Sequence, residues 1–259
     1  MHNKTVVITG ASSGIGKALA LAYSKEKVNL VLIARRKEKL DEIKSYCQTN
    51  GSSVKVIVAD LSDEKAVEKT AQEALNAFNK VDILINNAGI SQRGTIADTI
   101  FEVDRKVMEL NYFSQIYLTK LLLSEIRKNK GQIVVISSLS GLFGFPLRSA
   151  YAASKHALHG FFETLQLEEK EISTTIVCPG RIKTDISLSA VTANGDKHGK
   201  MDEGQLKGID VNVCAQKIIT AIGNRKKKII IAKEEKILLF MYNYIKPLFY
   251  KIASKIKAT

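Results

Sequence analysis

The sequence predicts an α/β protein: a single doubly wound, seven-stranded parallel sheet with helices on both faces. Three observations predict it. Short β-branched or mostly apolar runs alternate with stretches of helical periodicity from the first residues to about residue 232. The helical stretches between them are long enough for right-handed crossovers between parallel strands. The first strand also runs straight into a glycine-rich turn that opens a helix. No internal repeat, low-complexity segment or linker interrupts the alternation, so residues 1–235 read as one domain.

The elements follow in order. Thr5–Thr9 is a β-branched run, and Gly14–Ser24 repeats Ile15, Leu19, Ala22 and Tyr23 at helical spacing. Residues 28–33 are mostly apolar, as expected of a strand covered on both faces. Residues 37–48 read as a helix, 54–58 as a strand, Glu64–Phe78 as a helix and 81–85 as a strand. A long helical pattern covers 104–128, followed by strand Gln132–Ile136, helix 150–170 and strand 173–177. Residues 187–208 are polar and aperiodic, with Gly195, Gly199, Gly204 and Gly208, so 185–210 is expected to be a substrate lid. A helix at 212–223 and a last strand at 228–232 complete the domain.

Composition removes other classes. At 259 residues, 45% hydrophobic and 25% charged, the chain is neither disordered nor a small stapled scaffold. Cys47, Cys178 and Cys214 are widely spaced with no CxxC, which predicts reduced thiols and no metal site. The net charge is +13, but residues 225–259 hold ten Lys/Arg against Glu234 and Glu235, so the last 35 residues carry +8 and the body only +5. A tail-borne excess argues against a nucleic-acid partner. Only Met1-His2-Asn3-Lys4 precedes the first apolar run, and no run of about 18 apolar residues occurs. A soluble, cytoplasmic protein is the expectation.

The turn Thr9-Gly10-Ala11-Ser12-Ser13-Gly14-Ile15-Gly16 joins strand to helix. Gly10 can make the tight turn, Gly14 admits a phosphate close to the backbone, and Gly16 lets the helix pack against the strand. A pyrophosphate would meet the free N–H groups and dipole of the helix N-terminus. A dinucleotide site is therefore expected. At the end of the second strand, Ala34 is followed by Arg35 and Arg36 rather than by the carboxylate that favours a free ribose 2′-hydroxyl. Guanidinium groups can grip a 2′-phosphate through paired hydrogen bonds, which points to NADP(H), chiefly through Arg35. Tyr151 and Lys155 lie four apart on one helix face, thirteen residues after Ser138. A nearby ammonium stabilises tyrosinate, and so brings a phenol with pKa near 10 into acid–base range.

With these motifs the sequence resembles the short-chain dehydrogenase/reductase family, in its branch of about 250 residues, over nearly the whole chain. The resemblance rests on Thr9–Gly16, Asp60, Asn86-Asn87-Ala88-Gly89, Asn111, Ser137-Ser138, Tyr151-Ala152-Ala153-Ser154-Lys155, and Pro179-Gly180 followed by Thr184. It implies a Rossmann-type fold and four catalytic residues. Tyr151 would be the general acid, Lys155 would hold the nicotinamide ribose, Ser138 would bond the substrate oxygen, and Asn111 would anchor a water between Lys155 and solvent. Gly10, Ser12, Ser13, Gly14, Ile15 and Gly16 would line the pyrophosphate. Asp60 and Leu61 would lie at the adenine and Asn87, Ala88 and Gly89 along the ribose, while Pro179, Gly180, Ile182 and Thr184 would fix the carboxamide. Ser13 departs from the Lys or Arg that many NADP-preferring relatives place there. Ser137 is the alternative to Ser138, although the spacing favours Ser138. His156, His159 and Cys178 are expected to be structural.

The reaction expected is hydride transfer between NADPH and an apolar carbonyl or hydroxyl compound, steroid-, retinoid- or fatty-acyl-like. A 3-oxoacyl thioester reductase is the alternative, and a non-catalytic NADP-binding sensor is the alternative of another class. Loops 91–95, 139–147 and 185–208 would set specificity. Leu142, Phe143, Phe145, Pro146 and Leu147 read equally as substrate contacts or as packing beneath the lid or between subunits. Residues 236–259 form a basic amphipathic helical extension that Pro247 should interrupt. On one wheel Ile237, Met241, Ile245, Leu248, Ile252 and Ile256 share an arc, with Lys246 and Lys257 pointing away. This face suits either an anionic membrane surface or packing on protein. A homodimer or homotetramer through the helices of Asn111 and Tyr151 is expected from the resemblance.

Overall fold

The structure, a computed structural model, describes residues 3–256. Lys257, assigned above to the polar side of the tail, lies outside them. Seven parallel strands form one sheet: β1 (Thr5–Thr9), β2 (Asn29–Ala34), β3 (Ser53–Val58), β4 (Ile83–Asn86), β5 (Gln132–Ile136), β6 (Ser173–Pro179) and β7 (Lys228–Ile231). Their order is β3-β2-β1-β4-β5-β6-β7. Val7 pairs with Val31 on one side and Leu84 on the other, which places β1 and β4 side by side where the winding reverses. In an open parallel sheet that reversal leaves a crevice at the carboxyl ends of the strands. The residues following β1 and β4 therefore meet.

Strand alternation divides the core into two layers. Val7 and Val31 face helices α3 (Glu64–Phe78), α5 (Ser114–Lys128) and α6 (Ser149–Glu168), with Val67, Leu118, Leu122 and Phe162 buried there. Val6, Ile8 and Leu32 face α1 (Gly14–Ser24), α2 (Lys37–Thr49) and α7 (Val211–Gly223), against Leu19, Leu40 and Ile218. These are the two helical layers that the sequence predicts.

Three local features differ from expectation. The pattern over 104–128 begins earlier, as α4 (Phe101–Met108), and passes into α5 through a π-helical turn at Glu109–Phe113. One extra residue per turn there swings Asn111 inward, and such bulges concentrate at functional sites. Secondly, the expected lid is folded. Val191–Thr192 pairs in parallel with Gln92–Arg93, and Glu203–Leu206 makes a single helical turn.

Thirdly, the tail is two helices, α8 (Glu235–Tyr244) and α9 (Lys246–Ala253), which meet at Ile245 where Pro247 opens the second. The break invalidates the single wheel. Met241 is buried, while Ile237, Ile245, Leu248 and Ile252 from the same arc are exposed. The inward face is instead Met241, Phe249 and Ala253, packed on Leu139 and Phe143. No helix among the described residues is long and apolar enough to cross a membrane.

Candidate active site

The glycine turn is built by close approach. Gly10 has φ +64°, and a Cβ there would lie 2.9 Å from both Ala88 Cα and Asn87 Nδ2. A Cβ on Gly16 would meet Asn87 Nδ2 and the Gly10 carbonyl at 2.5 Å. Only glycine fits either position. Asn87 Nδ2 donates to the carbonyls of Thr9 (2.9 Å) and Gly10 (3.3 Å). The Thr9 hydroxyl accepts the backbone N–H groups of Asn87 and Ala88, both at 2.9 Å. The loop after β4 is thus clamped to the turn after β1. Asn87, expected beside the ribose, has its amide nitrogen on this clamp, and Thr9 is a partner that the glycine pattern did not single out.

Gly14 has φ +52°, and a Cβ there would touch Thr184 Cγ2 at 3.4 Å. The residues after β6 therefore stand over the start of α1. Ser13 caps α1 without a side-chain bond, and Ile15 follows on its first turn. Pro179 ends β6, and Gly180 N–H donates to the Ile231 carbonyl at 2.9 Å. Ile182 is buried. Its carbonyl accepts Gln205 Nε2, which also reaches Thr184 Oγ1 at 3.2 Å.

The arginines divide their work. Arg36 donates through Nε (3.3 Å) and Nη2 (3.1 Å) to Ser12 Oγ, on the glycine turn itself. Arg35 is exposed and reaches Asp60 Oδ2 at 3.5 Å. Burial raises the Asp60 carboxyl, but the Ser62 N–H and hydroxyl, with Arg35, outweigh it and leave its pKa below the usual range. Leu61 beside it is buried. Sequence reasoning favoured Arg35. The structure holds Arg36 nearer the turn, so both guanidiniums flank the end of β2.

The catalytic candidates converge one strand over. Lys155 is 4% exposed; its Nζ donates to the Ile136 carbonyl at 2.8 Å and lies 5.9 Å from the centre of the Tyr151 ring. Burial pulls its pKa down to about 8. Ser138 sits two residues beyond Ile136, and its Oγ accepts the Ser140 N–H at 3.1 Å. Its own hydroxyl proton is left to donate elsewhere. Ser137 differs: its Oγ donates to the Lys155 carbonyl (3.2 Å) and lies 3.1 Å from His159 Nε2. It is buried in the seam between β5 and α6, where a Cβ on Gly141 would come within 2.5 Å of it. His156 Nδ1 lies 2.8 Å from the Ala152 carbonyl, within α6. Cys178 lies 3.7 Å from His159 Nε2, and burial pushes its thiol up to about 12, far from a reactive thiolate.

Asn111 is fully buried. Its Oδ1 accepts Ile90 N–H (2.8 Å), and its Nδ2 donates to the Ile90 carbonyl (2.9 Å) and to Ser154 Oγ (3.1 Å). A Cβ on Gly89 would lie 3.0 Å from Asn111 Oδ1 and 3.7 Å from Lys155 Nζ. Asn111 thereby holds the loop after β4 against the lysine.

Sequence reasoning missed a latch that holds the segment around residue 202 to the body. Asp202 Oδ2 accepts from Nη2 of both Arg93 and Arg148, the latter at 3.2 Å. Arg93 and Asp202 are buried, and Arg148 precedes α6 only three residues before Tyr151. Burial, reinforced by Arg93, lowers the Arg148 pKa to about 10. The partners are over a hundred residues apart in sequence for Arg93 and over fifty for Arg148, and no local signal joins them.

The cradle fits a dinucleotide on structural grounds. Two glycines at positive φ border a helix N-terminus, and a buried ammonium with one protein partner among the described residues stands farther along the crevice. Comparison with known proteins agrees with the architecture. Residues 4–194 match the short chain dehydrogenase family. A dehydrogenase/reductase SDR family member 7B of Rattus norvegicus is 44% identical over 240 residues, covering 89% of this chain and 74% of that protein. A dehydrogenase/reductase SDR family protein 7-like of Drosophila melanogaster is 37% identical over 269 residues, covering 98% and 81%. A short-chain dehydrogenase structure from Streptomyces avermitilis superposes with TM-score 0.80 at 26% identity, covering 97% and 96%. An alcohol dehydrogenase of Thermococcus sibiricus, complexed with 5-hydroxy-NADP, shares the fold at TM-score 0.80 and 24% identity, covering 89% and 97%. On the family match and these relatives, the chain belongs to the short-chain dehydrogenase/reductase family of oxidoreductases.

Proposed function

We propose that the chain is an NADPH-dependent reductase of an apolar carbonyl compound, or the dehydrogenase of the corresponding alcohol. The observation that carries the reading is the placing of Lys155 Nζ between the Tyr151 ring and the end of β5, two residues before Ser138. The nicotinamide cofactor, when bound, supplies or accepts the hydride. Tyr151 gives its hydroxyl proton to the carbonyl oxygen in reduction and takes it back in oxidation. Lys155, held as an ammonium at neutral pH, favours the phenolate that proton transfer leaves behind. Ser138, with its O–H uncommitted, donates to the same substrate oxygen and steadies the developing charge. Asn111 keeps the Gly89–Ile90 backbone in register with Lys155.

Arg35 and Arg36 support NADP(H) over NAD(H), since no carboxylate ends β2 to repel a 2′-phosphate. Leu142 and Phe145, half-buried beside Leu139 and Phe143, support an apolar substrate next to Ser138. Exposed Phe101 and Phe113 on the α4–α5 face support self-association through those helices.

Paired substitutions at the two serines test the mechanism. Ser138→Ala should lower turnover by about 10² or more, in line with loss of one oxyanion donor. Ser137→Ala should act mainly on thermal stability. A larger fall in turnover for Ser137→Ala, with the fold intact, would overturn the assignment.

A further inference from the structure

The C-terminal hairpin of α8 and α9 has two apolar faces, and the fold covers one. On the inner face Met241, Phe249 and Ala253 are buried, with Phe143 packed against the rings of Tyr242 (5.8 Å) and Phe249 (5.2 Å). On the outer face Ile237, Phe240, Tyr244, Ile245, Leu248 and Ile252 stand 39–75% exposed. Phe240 and Tyr244 pack on each other at 4.9 Å. Patches of this kind mark interaction surfaces. Residues 236–256 also carry Lys236, Lys246, Lys251 and Lys255, all exposed, and no carboxylate.

We propose that this outer face docks on an anionic lipid surface. The chemistry of the face selects the occupant. Aromatic and aliphatic side chains enter the headgroup–acyl boundary, tyrosine keeps its hydroxyl in the wet layer, and lysine stems lie along the apolar surface with their ammonium groups at the phosphates. A second copy of the chain is a poorer match. A two-fold contact sets the same patch against itself, and residues 236–256, with four lysines and no carboxylate, bring only like charge to such a contact. The inner face rests on Leu139 and Phe143, so docking brings the loop after Ser138 close to the lipid. The proposal stands whether or not the chain is a reductase, because its test reads binding and not turnover.

The test is co-sedimentation of the 259-residue chain with phosphatidylcholine vesicles, with and without phosphatidylserine. The wild type should partition onto the phosphatidylserine vesicles and be released by salt. Lys251 and Lys255 have ammonium groups with no partner among the described residues, so Lys251→Gln with Lys255→Gln leaves the fold intact. That pair should weaken partitioning about thirtyfold, equivalent to ~1 kcal/mol for each near-surface lysine. Phe240→Ser with Tyr244→Ser should also weaken it, with an unchanged oligomeric state by light scattering. Wild-type protein that remains in the supernatant with both vesicles overturns the proposal. So does partitioning that neither double variant reduces. Loss of self-association in the Phe240/Tyr244 variant would assign the face to a contact between copies instead.

Discussion

Asp202→Asn isolates the latch between residues 185–208 and the start of α6. The side chain keeps its volume and can still accept one hydrogen bond, but Arg93 and Arg148 lose the only carboxylate that neutralises them in this pocket among the described residues. Two unit charges about 4 Å apart interact by ~4 kcal/mol at an effective dielectric near 20. Removing one partner of a buried pair costs ~3–5 kcal/mol, because the other charge remains desolvated. With Asn still accepting from one guanidinium, ~3 kcal/mol is the reasonable figure. The ion cluster ties this segment to the body and takes no part in the seven-stranded sheet, so the loss should fall on local opening and raise the open population of residues 185–208 by about a hundredfold. Hydrogen exchange reads this directly. Amides such as Val191 N–H, bonded to Ser91, and Ile209 N–H, bonded to Arg181, should lose protection, while those of β1 and β4 should not. Gln205 leaves with this segment, so Ile182 and Thr184 lose their brace, and cofactor affinity should fall too. Unchanged exchange in the segment, or a uniform loss across the whole sheet, would refute the latch.

Three further outcomes follow from the site. Arg35→Ala and Arg36→Ala should each weaken NADPH binding by roughly ten- to a hundredfold while sparing NADH, as titrations of both cofactors would read; equal losses would remove the 2′-phosphate assignment. Lys155→Met should raise the melting temperature of the ligand-free protein while abolishing turnover. The pKa of about 8 against an ordinary 10.5 means that burying the ammonium costs roughly 3 kcal/mol at neutral pH, or about 6–12 °C in a domain of this size. The same shift sets a pH dependence. Between about pH 8 and 10.5 the unfolded chain binds more protons at this site, so its contribution to stability should rise with pH over that window, and in Lys155→Met this rise should be absent.

Much of this was legible in the sequence because it is local. Parallel strands buried on both faces read as apolar runs, and Gly10 and Gly16 stand where a strand must turn sharply into a helix. The family resemblance, through the thirteen-residue step from Ser138 to Tyr151, favours Ser138, whose hydroxyl accepts the Ser140 N–H, over Ser137. What the sequence withheld is long-range or hangs on a single backbone distortion. Thr9 looks like any β-branched strand residue until its hydroxyl is seen to collect two N–H groups from the loop after β4. Arg93 and Asp202 are ordinary polar residues in loops until the fold buries them together. The π turn at Asn111 leaves the helical periodicity almost unchanged while re-aiming one side chain. The tail failed for the opposite reason. A wheel drawn through residue 245 assumes one unbroken helix, but the break there takes Leu248 and Ile252 off the arc of Met241, whose buried face continues instead through Phe249 and Ala253.

Tyr151 is proposed above as the proton donor in a nicotinamide-dependent carbonyl reduction. Its most direct test is the oxidation of NADPH by the wild type across ketosteroids, retinal, long-chain 3-oxoacyl thioesters and small diketones, with Tyr151→Phe beside it. The expected result is turnover on one class, reduced by at least about 10² in Tyr151→Phe with cofactor affinity retained. Turnover that Tyr151→Phe leaves near the wild-type rate would contradict the account, and so would tight NADPH binding with no turnover on any carbonyl class.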